Sequence, residues 1–231
     1  MAAPNYSAAR RHLIKTDPKL AAIIKTVGPC RLHSVAPRDP FEALTMSIAS
    51  QQLSTKAADT IFRRFCDLFP PDRRPTPGRV MTLTDDEIRA VGYSRPKVSF
   101  IKDLASHVLD GRLDLKGLTK HPDEEVMRQL VAVKGIGRWT AEIFLMFRLG
   151  RPDIFPADDL GLMNAVQRAY GKRKRPTAKQ LRKMSEAWRP YRSVAAWYLW
   201  ASLDQTQAPS AKPSLKRRRA SRSPAVTSAK R

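Results

Sequence analysis

Two glycines, Gly135 and Gly137, stand between two apolar helical patterns and could form a site for a phosphate group. Glycine lets the chain turn tightly and brings bare backbone to a surface. Ile136 between them is apolar and would anchor the turn between the two helices. The first amides of the second helix have no partner within it and lie at the positive end of its dipole, where phosphate oxygens bind. Gly135, Gly137 and Thr140 are therefore the candidate phosphate contacts, although many helical hairpins need glycine only to turn.

The sequence carries 43 Lys and Arg residues against 21 Asp and Glu, a formal net charge of +22 over 231 residues. An excess of this size excludes an acidic, solvating class of protein. It attracts polyanions, of which nucleic acid is the commonest for a soluble basic protein. Ribosomal or chromatin packing is the alternative that the charge alone leaves open. The length is enough for one large or two small domains with a real hydrophobic core.

Few residues are available for metal or disulfide chemistry. The two cysteines, Cys30 and Cys66, exclude a disulfide framework and a four-thiolate zinc or iron–sulfur site. The four histidines are scattered singly, so we predict no metal and no cofactor. The longest uninterrupted apolar run, 194–201, is far shorter than the about 20 residues that a membrane span needs. The N-terminus lacks the apolar segment of a secretory signal, so we predict no membrane partner.

Residues 1–204 are predicted to be almost wholly helical, with Pro, Gly and Asp separating the helices. Asp17 and Asp39 each precede a proline, the pattern of a cap residue followed by a first-turn proline. Thr84 and Glu87 form a capping box for a short helix that Gly92 should stop. With that helix, roughly ten helices are expected, among them 19–27, 41–52, 96–109, 122–133, 138–149, 160–170, 178–188 and 191–204.

The last 27 residues, 205–231, differ in composition from the rest of the chain. They contain eight Lys and Arg, no Asp or Glu and no aromatic residue. Such a segment cannot bury enough apolar surface to order itself, so we predict a disordered basic tail. Its basic cluster 216–219 is consistent with a nuclear address, a nonspecific DNA-binding arm or a solvated tail.

Four stretches in chain order carry a resemblance to a known family. They are Leu-Val-Ala-Val-Lys-Gly-Ile-Gly-Arg-Trp-Thr-Ala at 130–141, the segment from Pro-Phe-Glu-Ala to Ala-Ser-Gln-Gln-Leu-Ser at 40–54, Phe-Pro-Ala-Asp-Asp-Leu at 155–160, and Trp-Arg-Pro-Tyr-Arg-Ser at 188–193 continuing to Trp200. Over about residues 15–204 the sequence resembles the helix-hairpin-helix superfamily of DNA glycosylases, specifically the minimal form of its alkylation-repair branch, 3-methyladenine DNA glycosylase II. The resemblance implies an all-α fold of two helical lobes with a cleft between them. It implies one domain, 1–204, whose hairpin spans 124–149.

The resemblance implies that Asp159 is the catalytic acid in hydrolysis of an N-glycosidic bond. Loss of a base leaves an oxocarbenium-like sugar whose positive charge requires a nearby anion, which would also orient or deprotonate the attacking water. The family register places this acid immediately before the helix that starts at Leu160, which selects Asp159 over Asp158. We expect a capping or supporting role for Asp158. An acidic residue before a helix is also common as a cap without any catalysis.

The resemblance also implies an aromatic pocket for an extruded base. Alkylated purines are electron-poor and often cationic, so ring stacking and cation–π contact attract them. Trp139 and Trp200 are the candidates by family position, whereas packing in the core is the alternative for aromatic residues at helical spacing. Ile143 and Leu160 occupy pocket positions where some relatives have aromatic residues, which favours a narrower range of bases.

Further residues are expected at the DNA by resemblance. The damaged nucleotide must rotate out of the duplex, and Gln52 and Leu53 would fill the gap that it leaves. The alternative is that the glutamines here only cap a helix end. Arg95 and Lys97 lie in a loop that resembles a family loop near the DNA and are interpreted as DNA contacts. Relatives that also cut the strand use a lysine two residues after the second hairpin glycine, where this chain has Trp139, so we expect water to be the nucleophile.

The expected function is that of a monofunctional DNA N-glycosylase. It would excise alkylated purines such as N3-methyladenine from double-stranded DNA by base flipping, leave an abasic site and so start base excision repair. It is expected to act as a monomer, in the cytoplasm or nucleoid of a bacterium or in the nucleus of a eukaryote. Two alternatives stay open: a helix-hairpin-helix protein that binds DNA without catalysis, and a glycosylase for another damaged or mismatched base.

Overall fold

The computed structural model describes residues 6–32 and 39–204, and the regular elements within these ranges are all helical. The described residues form twelve α-helices: α1 Ser7–Thr16, α2 Pro18–Val27, α3 Pro40–Ser50, α4 Thr55–Asp67, α5 Pro77–Thr82, α6 Asp85–Ala90, α7 Arg95–Leu109, α8 Asp123–Val131, α9 Arg138–Phe147, α10 Leu160–Ala169, α11 Ala178–Ser185 and α12 Arg192–Asp204. Short 3-10 helices cover Leu118–Lys120 and Glu186–Trp188. The all-α fold class is confirmed, and the basic tail 205–231 lies outside the described residues. Within the described ranges, no helix has the length and apolar character needed to cross a membrane.

The predicted caps begin their helices. Asp17 and Asp39 cap α2 and α3, and each carboxylate accepts hydrogen bonds from two amides of the first turn. A proline follows each cap, where its missing N–H costs nothing because the first-turn amides have no helical partner. The capping box of Thr84 and Glu87 is also present, and α6 ends shortly before Gly92, whose φ is +113°.

Several helix boundaries differ from the prediction by one to three residues; α8 and α9, for example, each end two residues earlier than expected. The helix expected at 41–52 ends at Ser50, because Gln51 leaves the helical region with ψ 127° and Gln52 then takes a left-handed conformation with φ +58°. The helix expected at 178–188 ends at Ser185 and continues only as a 3-10 turn. Helices α1, α4 and α5 are additional to those expected.

The helices pack as two lobes. In one lobe α7 contacts α3, α5 and α6, and α4 packs on α3; in the other, α12 contacts α1, α2 and α10. The hairpin helices α8 and α9 pack on each other, and α9 joins the first lobe through α3. The segment 148–159 between α9 and α10 therefore crosses from one lobe to the other.

Asp17 links α2 to the end of α10 and to the 3-10 helix Glu186–Trp188 within the second lobe. Besides capping α2, Asp17 accepts hydrogen bonds through Oδ2 from the Tyr170 hydroxyl at 2.5 Å and from Trp188 Nε1 at 3.0 Å. Trp188 is fully buried, and its ring packs edge-on against Phe155. This closed core supports the segment 155–159 that leads into α10.

Candidate active site

Asp159 lies at the N-terminus of α10 and is held by three N–H donors. Its Oδ1 caps the helix by accepting from the Leu162 amide at 2.7 Å and also accepts from Trp200 Nε1 at 2.9 Å. Its Oδ2 accepts from Trp139 Nε1 at 2.9 Å. Hydrogen bonds to a charged acceptor are stronger than neutral ones, so these donors fix the orientation of the carboxylate. Two tryptophans from different helices, α9 and α12, thus meet at the predicted catalytic acid.

An exposed apolar surface surrounds this carboxylate. Trp139 is 45% exposed, Phe147 41% and Leu160 61%. Trp139, Ile143 and Phe147 recur every four residues along α9 and so share one face of the helix. The Phe147 ring stacks on Trp200 with their centroids 5.9 Å apart. Large apolar side chains exposed together are typical of binding surfaces. We use the name aromatic face for the three aromatic residues and the two aliphatic ones beside them: Trp139, Ile143, Phe147, Leu160 and Trp200.

The position after Leu160 has to be glycine for Asp159 and Trp200 to meet. A Cβ atom at Gly161 would lie 2.9 Å from Oδ1 of Asp159 and 3.3 Å from both Nε1 and Cδ1 of Trp200. Non-bonded heavy atoms pack best at about 3.5 to 4.0 Å, so a side chain here would displace the carboxylate or the indole. Gly161 therefore belongs to the site although it carries no functional group.

The hairpin turn uses its two glycines for different reasons. Gly135 has φ +80°, and a Cβ there would lie 2.2 Å from the Phe100 ring. Gly137 has extended backbone angles, and no heavy atom of the described residues, its chain neighbours aside, lies within 4 Å of an added Cβ. Ile136 between them is 2% exposed and anchors the turn, as its apolar character predicted. One glycine therefore serves close packing, and the other leaves open space at the surface.

The first turn of α9 receives no side-chain cap. Gly137 is the N-cap residue and offers no side chain, so amides of the first turn have no acceptor within the helix. They lie beside the open space at Gly137 and at the positive end of the helix dipole, where phosphate oxygens bind. Thr140 is only 6% exposed, and the phosphate contact predicted at this residue stays a prediction.

The loop between α3 and α4 presents two of the predicted DNA contacts, Gln52 and Leu53, which are both exposed. Lys97, expected to contact DNA, has other partners in the structure. Its Nζ donates hydrogen bonds to the carbonyl oxygens of Ala49 at 2.8 Å and Gln51 at 2.7 Å. Burial lowers the pKa of this ammonium group. Two of its donors are thus directed at the loop, and the DNA contact predicted for Lys97 stays a prediction.

The segments that build this site also match a known protein family. The sequence profile of the HhH-GPD superfamily base excision DNA repair protein matches residues 45–190, a range that contains the loop after α3, the hairpin and Asp159. The chain belongs to this family.

Two relatives and one solved structure illustrate how similar other members of the HhH-GPD family are. The alkylbase DNA glycosidase-like protein mag2 of Schizosaccharomyces pombe is 35% identical over 85% of this chain and 93% of its own length. The DNA-3-methyladenine glycosylase 1 of the same yeast is 37% identical over 83% of this chain and 85% of its own. The structure of the Schizosaccharomyces pombe 3-methyladenine DNA glycosylase Mag1 in complex with abasic DNA matches with a TM-score of 0.78 at 36% identity, and covers 86% of this chain and 97% of that one. The resemblance seen in the sequence motifs is therefore confirmed.

The two neighbouring acids of the HhH-GPD domain have separate partners. Asp158 is exposed and pairs with Arg182 of α11. It does not cap α10, because the cap is Asp159 itself. Of the capping or supporting role expected for Asp158, capping falls to Asp159, while Asp158 attaches the segment before α10 to α11.

A cleft of about 750 Å³ lies elsewhere on the HhH-GPD domain. It is lined by side chains of α8, α9, α11 and the start of α12 and of the segments 153–155 and 186–189, and neither Asp159 nor the aromatic face contributes to it. Glu142 at this cleft is 4% exposed, accepts from Arg138 Nε at 2.9 Å through Oε1, and has no partner at Oε2 among the described residues. Burial raises the pKa of this carboxyl group. The arginines that line the cleft are paired with neighbouring carboxylates, so the cleft has no uniform charge that would select a ligand.

Three residues of the site, Phe147, Gly161 and Gln51, escaped the sequence-based prediction. Phe147 had a signal, because it continues the four-residue spacing of Trp139 and Ile143 on α9. Gly161 had a weaker one, since a glycine inside a helix often has a packing or functional reason. Gln51 donates through Nε2 to the Gly135 carbonyl at 2.7 Å and had no signal, because this partner lies on a distant turn of the chain.

Proposed function

We propose that this HhH-GPD protein is a monofunctional DNA N-glycosylase that removes alkylated purines, N3-methyladenine among them, from double-stranded DNA. The observation that carries the proposal is the Asp159 carboxylate, held by three N–H donors within the aromatic face. The relatives named as 3-methyladenine DNA glycosylases support the choice of alkylated bases.

Asp159 supplies the negative charge that the reaction requires. Cleavage of the N-glycosidic bond leaves positive charge on the deoxyribose ring, so an anion that faces C1′ lowers the barrier. The three donors hold the carboxylate in one orientation and leave its remaining lone pairs for the sugar or the attacking water. The base departs with the bonding electrons, the water oxygen bonds to C1′, and its proton passes to Asp159 or to solvent. The product is an abasic site in an uncut strand.

The aromatic face receives the base once it has left the stack. A cationic purine over an indole ring gains about 1 to 2 kcal/mol when desolvated, and Trp139 is exposed enough to provide that contact. Ile143 and Leu160 are aliphatic and can contribute only apolar contact. This composition favours a narrower range of bases than a pocket lined wholly by aromatic residues.

DNA reaches the site through three contacts in this proposal. The first-turn amides of α9 bind a backbone phosphate beside Gly135 and Gly137. Gln52 and Leu53 enter the gap left by the flipped nucleotide, whose extrusion costs a few kcal/mol. Arg95, exposed at the start of α7, adds a backbone contact. The protein acts as a monomer on the DNA of a nucleoid or a nucleus.

Trp139 supports hydrolysis over strand cleavage. A lysine amine at this position would attack C1′ and form a Schiff base with the opened sugar, whereas an indole N–H is not a nucleophile. Lys134 lies before the hairpin glycines, and its side-chain Nζ lies 3.9 Å from Oδ1 of Asp103. Water is therefore the nucleophile.

Incubation of the protein with a methylated duplex tests the proposal. Free methylated base should appear in solution, the strand should stay intact until alkali cleaves the abasic site, and borohydride should trap no covalent adduct. A borohydride-trapped protein–DNA adduct that forms as fast as the base is released would make the protein bifunctional. Binding to the duplex without release of any base would make it a non-catalytic DNA-binding protein.

A further inference from the structure

Residues 51–53 between α3 and α4, which we call the insertion loop, have a conformation that the backbone does not favour by itself. Gln52 has φ +58°, in the left-handed region that non-glycine residues rarely adopt. The Leu53 amide donates to the Ser50 carbonyl at 3.2 Å and closes a tight turn. Gln52 and Leu53 are exposed, so their own side chains do not anchor this turn in the core. Contacts from outside the loop have to stabilise it.

Lys97 on α7 supplies the first of these contacts. Its Nζ donates to the carbonyl of Ala49 at 2.8 Å and to that of Gln51 at 2.7 Å. These carbonyls stand at the C-terminal end of α3, where helix carbonyls lack amide partners and where the helix dipole favours a cation. The two acceptors lie on either side of Ser50, so Lys97 holds both the last turn of α3 and the first residue of the insertion loop.

Gln51 supplies the second contact. Its Nε2 donates to the Gly135 carbonyl in the hairpin turn at 2.7 Å. Gly135 in turn packs so closely on Phe100 that a Cβ would lie 2.2 Å from the ring, and Phe100 is on α7 like Lys97. The insertion loop, the hairpin turn and α7 are therefore one connected unit. The spacing between the phosphate-binding turn and the exposed loop residues is set before any DNA arrives.

We propose that Lys97 and Gln51 are positioning residues that hold the insertion loop ready to enter the base stack while the hairpin turn holds the DNA backbone. The inference rests on the proposed function, because it takes Gln52 and Leu53 as the side chains that fill the gap. Neither Lys97 nor Gln51 touches the reacting atoms. A loop that is already ordered avoids an entropic cost during base extrusion. The ordered loop therefore raises the rate of base release strongly when the damaged base is paired, and only slightly when no base pair has to be broken.

Single-turnover release of a methylated purine from two duplexes tests this assignment. One duplex pairs the damaged base with a normal pyrimidine, and the other has an abasic site opposite it. Lys97→Met and Gln51→Met keep the length of each side chain and remove its hydrogen-bond donors. Lys102→Met is the matched control, since Lys102 lies on the same helix and pairs with Asp85 at the surface.

Lys97→Met and Gln51→Met should slow release from the paired duplex by about tenfold or more, and release from the duplex without an opposing base by less than about threefold. Lys102→Met should leave both rates unchanged. An equal loss on both duplexes would reduce Lys97 and Gln51 to structural support, and an unchanged rate on the paired duplex would overturn the proposal as well. If thermal melting shows that Lys97→Met does not fold, Gln51→Met decides the question alone. Absence of release by the unaltered protein from either duplex would instead contradict the proposed function, so the two failures are distinguishable.

Discussion

Two aspartates in this protein cap helices with similar sets of donors, but they lie in different surroundings. Asp17 accepts from two first-turn amides of α2 through Oδ1, at 2.9 and 3.1 Å, and from Trp188 and Tyr170 through Oδ2. Asp159 accepts from one first-turn amide of α10 and from two indole N–H groups. Each residue is the N-cap of its helix, and each receives at least one tryptophan N–H.

The difference is what lies beside each carboxylate. Trp188 is fully buried, and burial together with the hydrogen bond to Asp17 raises the pKa of the Tyr170 phenol. Beside Asp159, Trp139 is 45% exposed and Leu160 61%. A capping aspartate with indole donors is therefore not by itself a catalytic feature. An open apolar surface, which receives the base in the proposed function, is what distinguishes the site at α10 from the one at α2.

Removing the negative charge of each aspartate should give the largest contrast between the two sites: loss of base release at Asp159 and loss of stability at Asp17. Asp159→Asn keeps a capping side chain but loses the negative charge, so single-turnover base release should fall by at least about 100-fold. Asp17→Asn should lower the free energy of unfolding by about 1 to 3 kcal/mol, because the indole and the phenol lose a charged acceptor. Release by folded Asp17→Asn should stay within about twofold of the unaltered protein. Free base and urea denaturation are the two measurements, and an active Asp159→Asn would remove the contrast between the sites.

The tryptophans that donate to the two aspartates allow a second comparison. Trp139→Phe keeps a ring but loses the N–H donor to Asp159, so release should slow by about tenfold. Since Trp139 is half-exposed, the free energy of unfolding should change by less than about 0.5 kcal/mol. Trp188→Phe leaves a cavity in the core and removes one of the two donors to Asp17 Oδ2, and should cost about 2 kcal/mol of stability without slowing release by the folded protein. A Trp188→Phe variant that stays stable but no longer releases the base would contradict the assignment of catalysis to Asp159 and Trp139.

Gly161→Ala should give the smallest change in base release of the three comparisons, because it adds only one Cβ atom beside Asp159. Alanine favours a helix over glycine by up to about 1 kcal/mol, so the protein should become slightly more stable. The added Cβ would press on Asp159, and release should fall by about threefold to tenfold. Gly78→Ala in α5 is the matched control, since no heavy atom of the described residues, chain neighbours and local helix backbone aside, lies within 4 Å of its Cβ. Equal release by the two alanine variants would mean that the carboxylate tolerates the displacement.

The parts of the fold that depend on nearby residues could be predicted from the sequence. The cap of Asp17 and the capping box of Thr84 act within three residues, so their residue types suffice to place a helix start. Helix α4 was overlooked although it had a signal, since Ser54 caps it and its buried residues Ala58, Phe62 and Phe65 share one face. The end of α3 could not be placed, because nothing in the residue types indicates that Gln52 adopts a left-handed conformation.

The site itself depends on contacts between distant residues, which limits what its residue types reveal. The indole donors of Asp159 come from residues 20 and 41 positions away in the chain. The resemblance named Trp139 and Trp200 as pocket residues, but not their hydrogen bonds to the carboxylate. Lys97 was interpreted as a DNA contact because its loop resembles a family loop near the DNA, whereas its carbonyl partners become available only where α3 ends beside α7.

Affinity for a charged sugar analogue tests most directly whether Asp159 stabilises positive charge on the deoxyribose. The Kd is measured for the unaltered protein and for Asp159→Asn, on a duplex with a pyrrolidine abasic analogue, whose protonated nitrogen carries a positive charge, and on a duplex with a neutral tetrahydrofuran abasic site. The unaltered protein should bind the charged analogue at least about tenfold more tightly than the neutral one, and Asp159→Asn should lose this preference. The same preference in both proteins would contradict the role of Asp159.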